Sequence, residues 1–343
     1  MNITDPRAVR VPFTELADLA AAAVGGKAVA CSDDFFAPMA NLLKGPRAVF
    51  IPEKFTPRGK WMDGWESRRK RKPGHDWCVV KLGMPGVVRG VDVDTDHFTG
   101  NYPEFASLEA CESSANVPPA SAWREIVAKV RLQGGTRNLL PVADPGRVTH
   151  LRLNIHPDGG VARLRVHGVV RPDWGKVRKE RGLVDLAALE NGGVVAATSD
   201  SYFGPKDNLI LPGRSKTMGG GWETRRKRVP GHDWIVVALG RAGRPRRVEV
   251  DTNHFKGNFP ESVSLEGCSF KGRAEADAFD LGCDLQAWPG AAVAWKPLLP
   301  RTKVRAHTRH MFALKGALAV THVRLRAYTD GGVSRLRVWA EPA

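Results

Sequence analysis

The chain has 343 residues, 42% of them hydrophobic, and a formal net charge of +16 at pH 7. That length suits two domains of ordinary size, and no apolar run approaches the roughly 18 residues that a membrane-spanning helix needs. The basic balance invites a nucleic-acid reading, yet no nucleic-acid motif is present. Charge alone implies only salt-sensitive attraction to polyanions and easier encounter with a small anionic substrate.

The first residues, MNITDPRAVRVPF, lack a basic start followed by an apolar core and a cleavage site; the expectation is a cytoplasmic protein. Phe13–Ala23 sets Leu16, Leu19 and Ala23 at helical spacing, behind Thr14 as N-cap and ahead of Gly25-Gly26. This predicts a short leading helix. An apolar strand, KAVACSDDFF, follows from Lys27. Cys31 in that strand is one of five cysteines, with Cys78, Cys111, Cys268 and Cys283. None forms a C-x-x-C pair and the number is odd, so reduced, packed thiols are expected rather than a zinc ribbon or a disulfide framework.

From Trp61 to Cys111 runs the stretch around which the chain is organised, because it occurs twice. WMDGWESRRKRKPGHDW, VDVDTDHFTGNYPE and SLEAC return as GGWETRRKRVPGHDW, VEVDTNHFKGNFPE and SLEGC at an unbroken offset of 157, as from Trp65 to Trp222. The leading segment also returns, with LVDLAALE and VVAATSDSYF at an offset of 167, and the second copy is then ten residues shorter before its central stretch. Each copy closes on a second repeated pattern, THLRLNIHPDGGVARLRVHG and THVRLRAYTDGGVSRLRVWA, at an offset of 172. Period-two alternation around Asp-Gly-Gly predicts a hairpin, with Leu151, Leu153 and Ile155 inward and Arg152, Asn154, Arg163 and Arg165 on a wet face. Arg324, Arg326, Arg335 and Arg337 take the wet face of the second copy. The polar segment 171–182 reads as a linker, so the expected units are 1–170 and 183–343. Short strands punctuated by Gly and Pro make each unit an all-β antiparallel sandwich with one small leading helix.

Chemistry concentrates in the repeated loops. Asp63-Gly64-Trp65-Glu66 leads into Arg68-Arg69-Lys70-Arg71, and Pro73-Gly74 turns the chain toward His75-Asp76-Trp77. Arginine suits a carboxylate through two parallel hydrogen bonds; the bland reading is a solvated basic loop. His75, Asp76 and His97 are acid/base or metal candidates, with Asp94 and Asp96 beside His97. The spacing matches no standard metal signature, and each imidazole could equally be a hydrogen-bonded structural histidine. Asn101 and Asn258 either recognise urea-like amides or hold left-handed turns. In the second copy Gly220 replaces Asp63 and Asn253 replaces Asp96, which makes the first copy the better-equipped site.

With these motifs in view, the chain resembles the allantoicase family over nearly its whole length. SDDFFAPMANLL, KFTPRGKWMDGWESRRKR, PGHDW, GVDVDTDHFTGNYPE and SLEAC carry the resemblance, together with their second-copy counterparts. It implies two tandem jelly-roll domains resembling galactose-binding modules, and hydrolysis of allantoate to ureidoglycolate and urea by a homo-oligomer. On this basis Asp63, Glu66, His75, Asp76 and His97 are expected to act on protons. Trp65, Arg68, Arg69, Asn101 and Glu109 are expected to bind substrate, as are Trp222, Glu223, Arg225, Arg226, His232, His254 and Asn258. A divalent metal, manganese, follows by family analogy only. No nucleic-acid or membrane partner is expected. The rival class is a non-catalytic jelly roll binding a carbohydrate or another small molecule, but such a loop has little use for repeated His-Asp pairs.

Overall fold

The computed structural model describes residues 12–269, 294–316 and 318–343; Cys283 lies outside them. Two compact units result, one ending at Arg171 and the other running Pro172–Ala343. Segment 172–182 belongs with the second, where Arg241 stacks on Trp174 and Arg247 binds Glu180 at 2.7 Å.

In the first repeat the strands are β1 (Ala17–Asp18), β2 (Lys27–Cys31), β3 (Phe55–Thr56), β4 (Gly59–Lys60), β5 (Trp65–Glu66), β6 (Asp76–Asp94) and β7 (Phe105–Cys111). They continue as β8 (Arg124–Arg131), β9 (Arg137–Pro141), β10 (Arg147–His156), β11 (Gly160–Val161) and β12 (Arg163–Val170). The 19 residues of β6 run through one eight-stranded sheet and change neighbours along their length. The first half pairs with β2 and β10, the second chiefly with β9 and β12, all antiparallel. Strands β7 and β8 continue the sheet beyond β10, and β1 continues it beyond β12. The change falls at Gly83-Met84-Pro85-Gly86, where a Cβ on Gly83 would stand 2.4 Å from the Val24 carbonyl oxygen and one on Gly86 2.3 Å from that of Val169. Glycine permits that backbone approach. Leu151, Leu153, Ile155, Leu164 and Val166 are fully buried in the core, each worth about 1.5–3 kcal/mol on burial.

The second repeat rebuilds this plan with β13 (Val184–Asp185), β14 (Val194–Thr198), β15 (Trp222–Glu223), β16 (Asp233–Asp251) and β17 (Ser262–Cys268). After them come β18 (Lys296–Lys303), β19 (Arg309–Ala313), β20 (Val320–Tyr328), β21 (Gly332–Val333) and β22 (Arg335–Pro342). The long β16 again pairs with four strands, β14, β19, β20 and β22.

Three sequence expectations need correction. The leading helix is instead a 3₁₀ turn at Pro12–Glu15, the short β1, and a second 3₁₀ turn at Ala22–Val24. Asp18 Oδ1 accepts the amides of Ala20 and Val166, and the Leu19 amide bonds the Val166 carbonyl, so helix-forming groups are committed to the sheet. Asp185 does the same with Ala187 and Val338 in the second copy. The expected hairpin is not one. Strand β10 lies between β6 and β7, while β12 lies between β6 and β1. Alternation reveals which face is buried but not which neighbour a strand takes. Finally, the supposed wet face is partly interior: Asn154, Arg163, Arg335 and Arg337 are buried. Loop carbonyls cover the three arginines, with Arg163 bonding Pro46, Arg335 bonding Gly213 and Arg337 bonding Leu211.

Candidate active site

The DGWE loop is held in the same way in both repeats. Trp65 is fully buried, and its Nε1 donates to the Asp33 carbonyl at 2.8 Å; Trp222 repeats the bond to Asp200 at 2.8 Å. Both indoles are therefore core anchors. The Asp33 carboxylate accepts the Arg68 amide at 2.9 Å and Arg68 Nε at 2.7 Å. Burial would raise the Asp33 pKa, but the Arg68 backbone and side-chain hydrogen bonds outweigh it and hold the carboxyl below its usual value. Arg68 also stacks on Phe35, 5.1 Å from the ring centroid, and stays largely exposed. Arg225 repeats this arrangement with Asp200 and Tyr202. Arg69 and Arg226 are exposed.

One residue before Ser67, Glu66 is half-buried and accepts the Asn101 side-chain amide at 2.7 Å. Burial raises its pKa, and the Asn101 bond offsets only part of the rise. Glu223 and Asn258 form the same pair, with the Glu223 carboxyl raised for the same reason. The Asp-Gly-Gly turn seats this pair. Gly160 donates to the Asn101 carbonyl at 2.8 Å, and β11 pairs with β5 through Gly160↔Glu66. The left-handed positions of the HFxGN loops fall on His97 (φ 68°) and His254 (φ 71°), not on the asparagines. Asn101 and Asn258 are thus spared the turn role that sequence had offered them.

The remaining candidates are distributed around this pair. Asp63 is buried, with Lys44 at 2.9 Å on one oxygen and Arg163 at 2.7 Å and the Val49 amide at 3.2 Å on the other. Burial would raise its pKa, but the hydrogen bonds from Arg163 and Lys44 prevail and lower it. Asp76 is buried between Ser32 Oγ at 2.8 Å and Lys70 Nζ at 2.7 Å, and Asp233 repeats this with Ser199 and Lys227. His97 Nε2 lies 3.2 Å from the Ala48 carbonyl oxygen, and its ring stacks with Phe50 at 5.7 Å. Phe50 belongs to the segment that lengthens the first copy; His254 instead meets His307 at 5.6 Å. Exposed His75 leans on His156 at 4.6 Å, and His232 leans on Tyr328 at 5.1 Å.

A second group lies on the face of the sheet opposite the core. Glu109 accepts Arg152 Nε at 2.6 Å and Asn154 Nδ2 at 2.7 Å, and Ser107 Oγ stands 3.1 Å from His156 Nε2. Burial, with help from His75 and Lys129, keeps His156 below the ordinary imidazole value. The structure thus brings Glu66 together with Asn101, and Glu109 with Arg152. Asp63, Asp76, Trp65 and Trp222 go to structural contacts.

The family model for the allantoicase repeat matches the chain twice, at residues 17–171 and 184–343. The chain belongs to the allantoicase family. It is 48% identical over 346 residues to a probable allantoicase 2 of Burkholderia pseudomallei, covering 100% of this chain and 95% of the relative. It is 46% identical over 338 residues to a probable allantoicase of Pseudomonas aeruginosa, covering 98% of each. The crystal structure of allantoicase from Saccharomyces cerevisiae, 34% identical, superposes with a TM-score of 0.76 over 94% of this chain and 92% of that one. The fold is accordingly all-β, two tandem antiparallel sandwiches.

The manganese suggested by family analogy finds no set of ligands among the described residues of this allantoicase-family chain. Among the described residues no three His, Cys, Asp or Glu side chains converge. Asp96 lies 3.5 Å from Arg47 and 3.8 Å from His97, while Asp94 Oδ1 accepts the Asp96 amide at 3.0 Å. A guanidinium stands where a cation would need to be, so these residues do not fit a divalent ion. The thiols do not offer an alternative. Cys111 and Cys268 are buried, and burial raises both, Cys268 to about 11. Sequence reasoning missed Asp33, Ser107, Arg152, Asn154 and His156 as partners. The signal for Asp33 was its identity with Asp200 across the two copies.

Proposed function

We propose that the chain hydrolyses allantoate to ureidoglycolate and urea, and that the Glu66–Asn101 and Glu223–Asn258 pairs carry the proton transfers. The observation behind this is a half-buried carboxyl in each repeat whose pKa is raised by burial and whose only hydrogen-bond partner among the described side chains is a neutral amide. A carboxyl tuned upward holds a proton to give and can later take one back.

Allantoate is a carbon bearing one carboxylate and two ureido groups. Release of urea breaks the bond from that carbon to one ureido nitrogen, and water replaces it with a carbon–oxygen bond. Glu66 donates its proton to the departing nitrogen, and the resulting carboxylate accepts a proton from the entering water. Atoms and charge balance without a second acid. The Asn101 side-chain Oδ1 accepts a ureido N–H. Arg68, oriented by Asp33 and Phe35, turns its remaining donors to the substrate carboxylate. His75 and His97 stand outside this sequence of steps, and Asp63 and Asp76 hold the loops.

The test is urea release from allantoate by the Glu66→Gln and Glu223→Gln variants. Glutamine keeps the Asn101 contact and removes the transferable proton. The double variant is expected to lose about 100-fold or more in kcat, and each single variant the share of its own repeat. A double variant as fast as the parent protein removes the assignment. Free Cys31, Cys78, Cys111 and Cys268 support a reducing, cytoplasmic setting for the reaction. No described helix is long and apolar enough to cross a membrane.

A further inference from the structure

We propose that the sheet face opposite the core of the second repeat holds a small oxyanion, a carboxylate or a phosphate, between Arg324, Arg326 and the Tyr328 hydroxyl. The site lies on β17 and β20, on the sheet rather than the loops, and does not rest on the loop-site reading.

Pairing of β17 with β20 sets Ser264 opposite Arg326 and Glu266 opposite Arg324. One oxygen, Glu266 Oε2, accepts Arg324 Nε at 2.8 Å and Arg324 Nη2 at 2.6 Å, and also lies 3.1 Å from Arg326 Nη2. Two guanidinium groups thus share one carboxylate. Arg326 Nε is buried and has no hydrogen-bond partner, which leaves the outward donors of this guanidinium, on Nη1 and Nη2, to meet a ligand. Ser264 Oγ and Tyr328 OH stand 3.2 Å apart. Between them they use one hydroxyl proton and keep the other to donate. Arg301 lies over the Tyr328 ring at 4.3 Å and is held by Glu261 at 2.8 Å. Trp295 lies against Arg324 at 4.5 Å and packs with Trp234 in one apolar cluster, an aromatic wall that strengthens charge interactions beside it.

The first repeat serves as an internal control. At the same register it carries Asn154 for Arg326 and His156 for Tyr328. There Glu109 meets one guanidinium and one neutral amide, so the excess positive charge is absent. His232 registers that excess. Burial and then the charges of Arg326 and Arg324 lower its pKa, with Asp233 and Glu266 opposing.

The experiment is calorimetric titration of the full chain at fixed ionic strength, with inorganic phosphate in one arm and glycolate in the other. Preference between the two identifies the class of oxyanion. Three variants decide the site. Arg326→Asn installs the residue that the first repeat tolerates at this register, Tyr328→Phe removes only a hydroxyl, and Arg228→Asn takes the same charge from an exposed loop. Arg326→Asn is expected to weaken binding about tenfold or more, Tyr328→Phe to weaken it less, and Arg228→Asn to leave it unchanged. Failure of the parent protein to bind either anion overturns the proposal. So does survival of binding in both Arg326→Asn and Tyr328→Phe, or equal weakening by Arg326→Asn and Arg228→Asn.

Discussion

Asp63 and Gly220 hold corresponding positions in the two repeats, and the arginines facing them have solved the same burial problem differently. Arg163 has a carboxylate at 2.7 Å, shared with Lys44. Arg335 has only carbonyl oxygens, those of Asn208, Gly213 and Gly220 among them. Burial and the neighbouring Arg337 push its guanidinium down to about 10. Restoring aspartate at 220 requires the Ser215 side chain to move, because a Cβ there would meet its Oγ at 2.4 Å. In the first repeat the ion pair is fixed in place, and removing one member strands the other. Asp63→Ala is therefore expected to destabilise the first repeat by about 3–5 kcal/mol in denaturant unfolding. Its lowered pKa sets the sign with pH. The contribution is present above the ordinary carboxylate value and is lost as pH falls through the depressed one. A variant as stable as the parent at neutral pH, with no change in acid unfolding, would mean that Arg163 relaxes onto carbonyls as Arg335 does.

At the level of elements, the Asp-Gly-Gly segment links fold and site, since it carries the chain from β10 over Phe98 to β12. A Cβ on Gly160 would lie 2.0 Å from the Phe98 ring, and one on Gly332 would lie 1.9 Å from the Phe255 ring. Gly160→Ala is expected to cost about 1–3 kcal/mol by overpacking. It should also lower urea release by the first repeat, because β11 seats Glu66 through β5. Unchanged melting with unchanged turnover would break that link between turn and site. Strand positions such as Leu151, Leu153 and Ile155 were legible in the sequence because period two is a local property. What the sequence hid was long-range. Arg163 meets Asp63 from 100 residues away, and Asp18 meets the Val166 amide from 148 residues away. The same distance explains the lost helix and the opened hairpin. Glu66 and Asn101 could be marked as chemistry-bearing from repetition alone, but that they bond each other could not be read from either loop.

Across the whole molecule, buried titrating groups pull stability in opposite directions with pH, and their numbers decide the net sign. His150, His156 and His232 are held below the ordinary imidazole value, chiefly by burial. Below about pH 6.5 the unfolded chain binds protons at these sites that the folded chain refuses, so their stability falls as pH falls toward the depressed values. Asp185 opposes them. Complete burial pushes it up to about 6 despite Arg337, so the folded chain takes its proton first and gains stability as pH drops. Between pH 7.5 and pH 6 three lowered imidazoles act against the one raised carboxyl of Asp185. The raised carboxyls of Glu66, Glu223 and Asp92 add to the opposing side at lower pH. Calorimetric melting of the full chain should therefore show Tm falling between pH 7.5 and pH 6. A Tm that stays flat or rises over that interval would mean that these imidazoles gain water or partners that the folded sheets deny them.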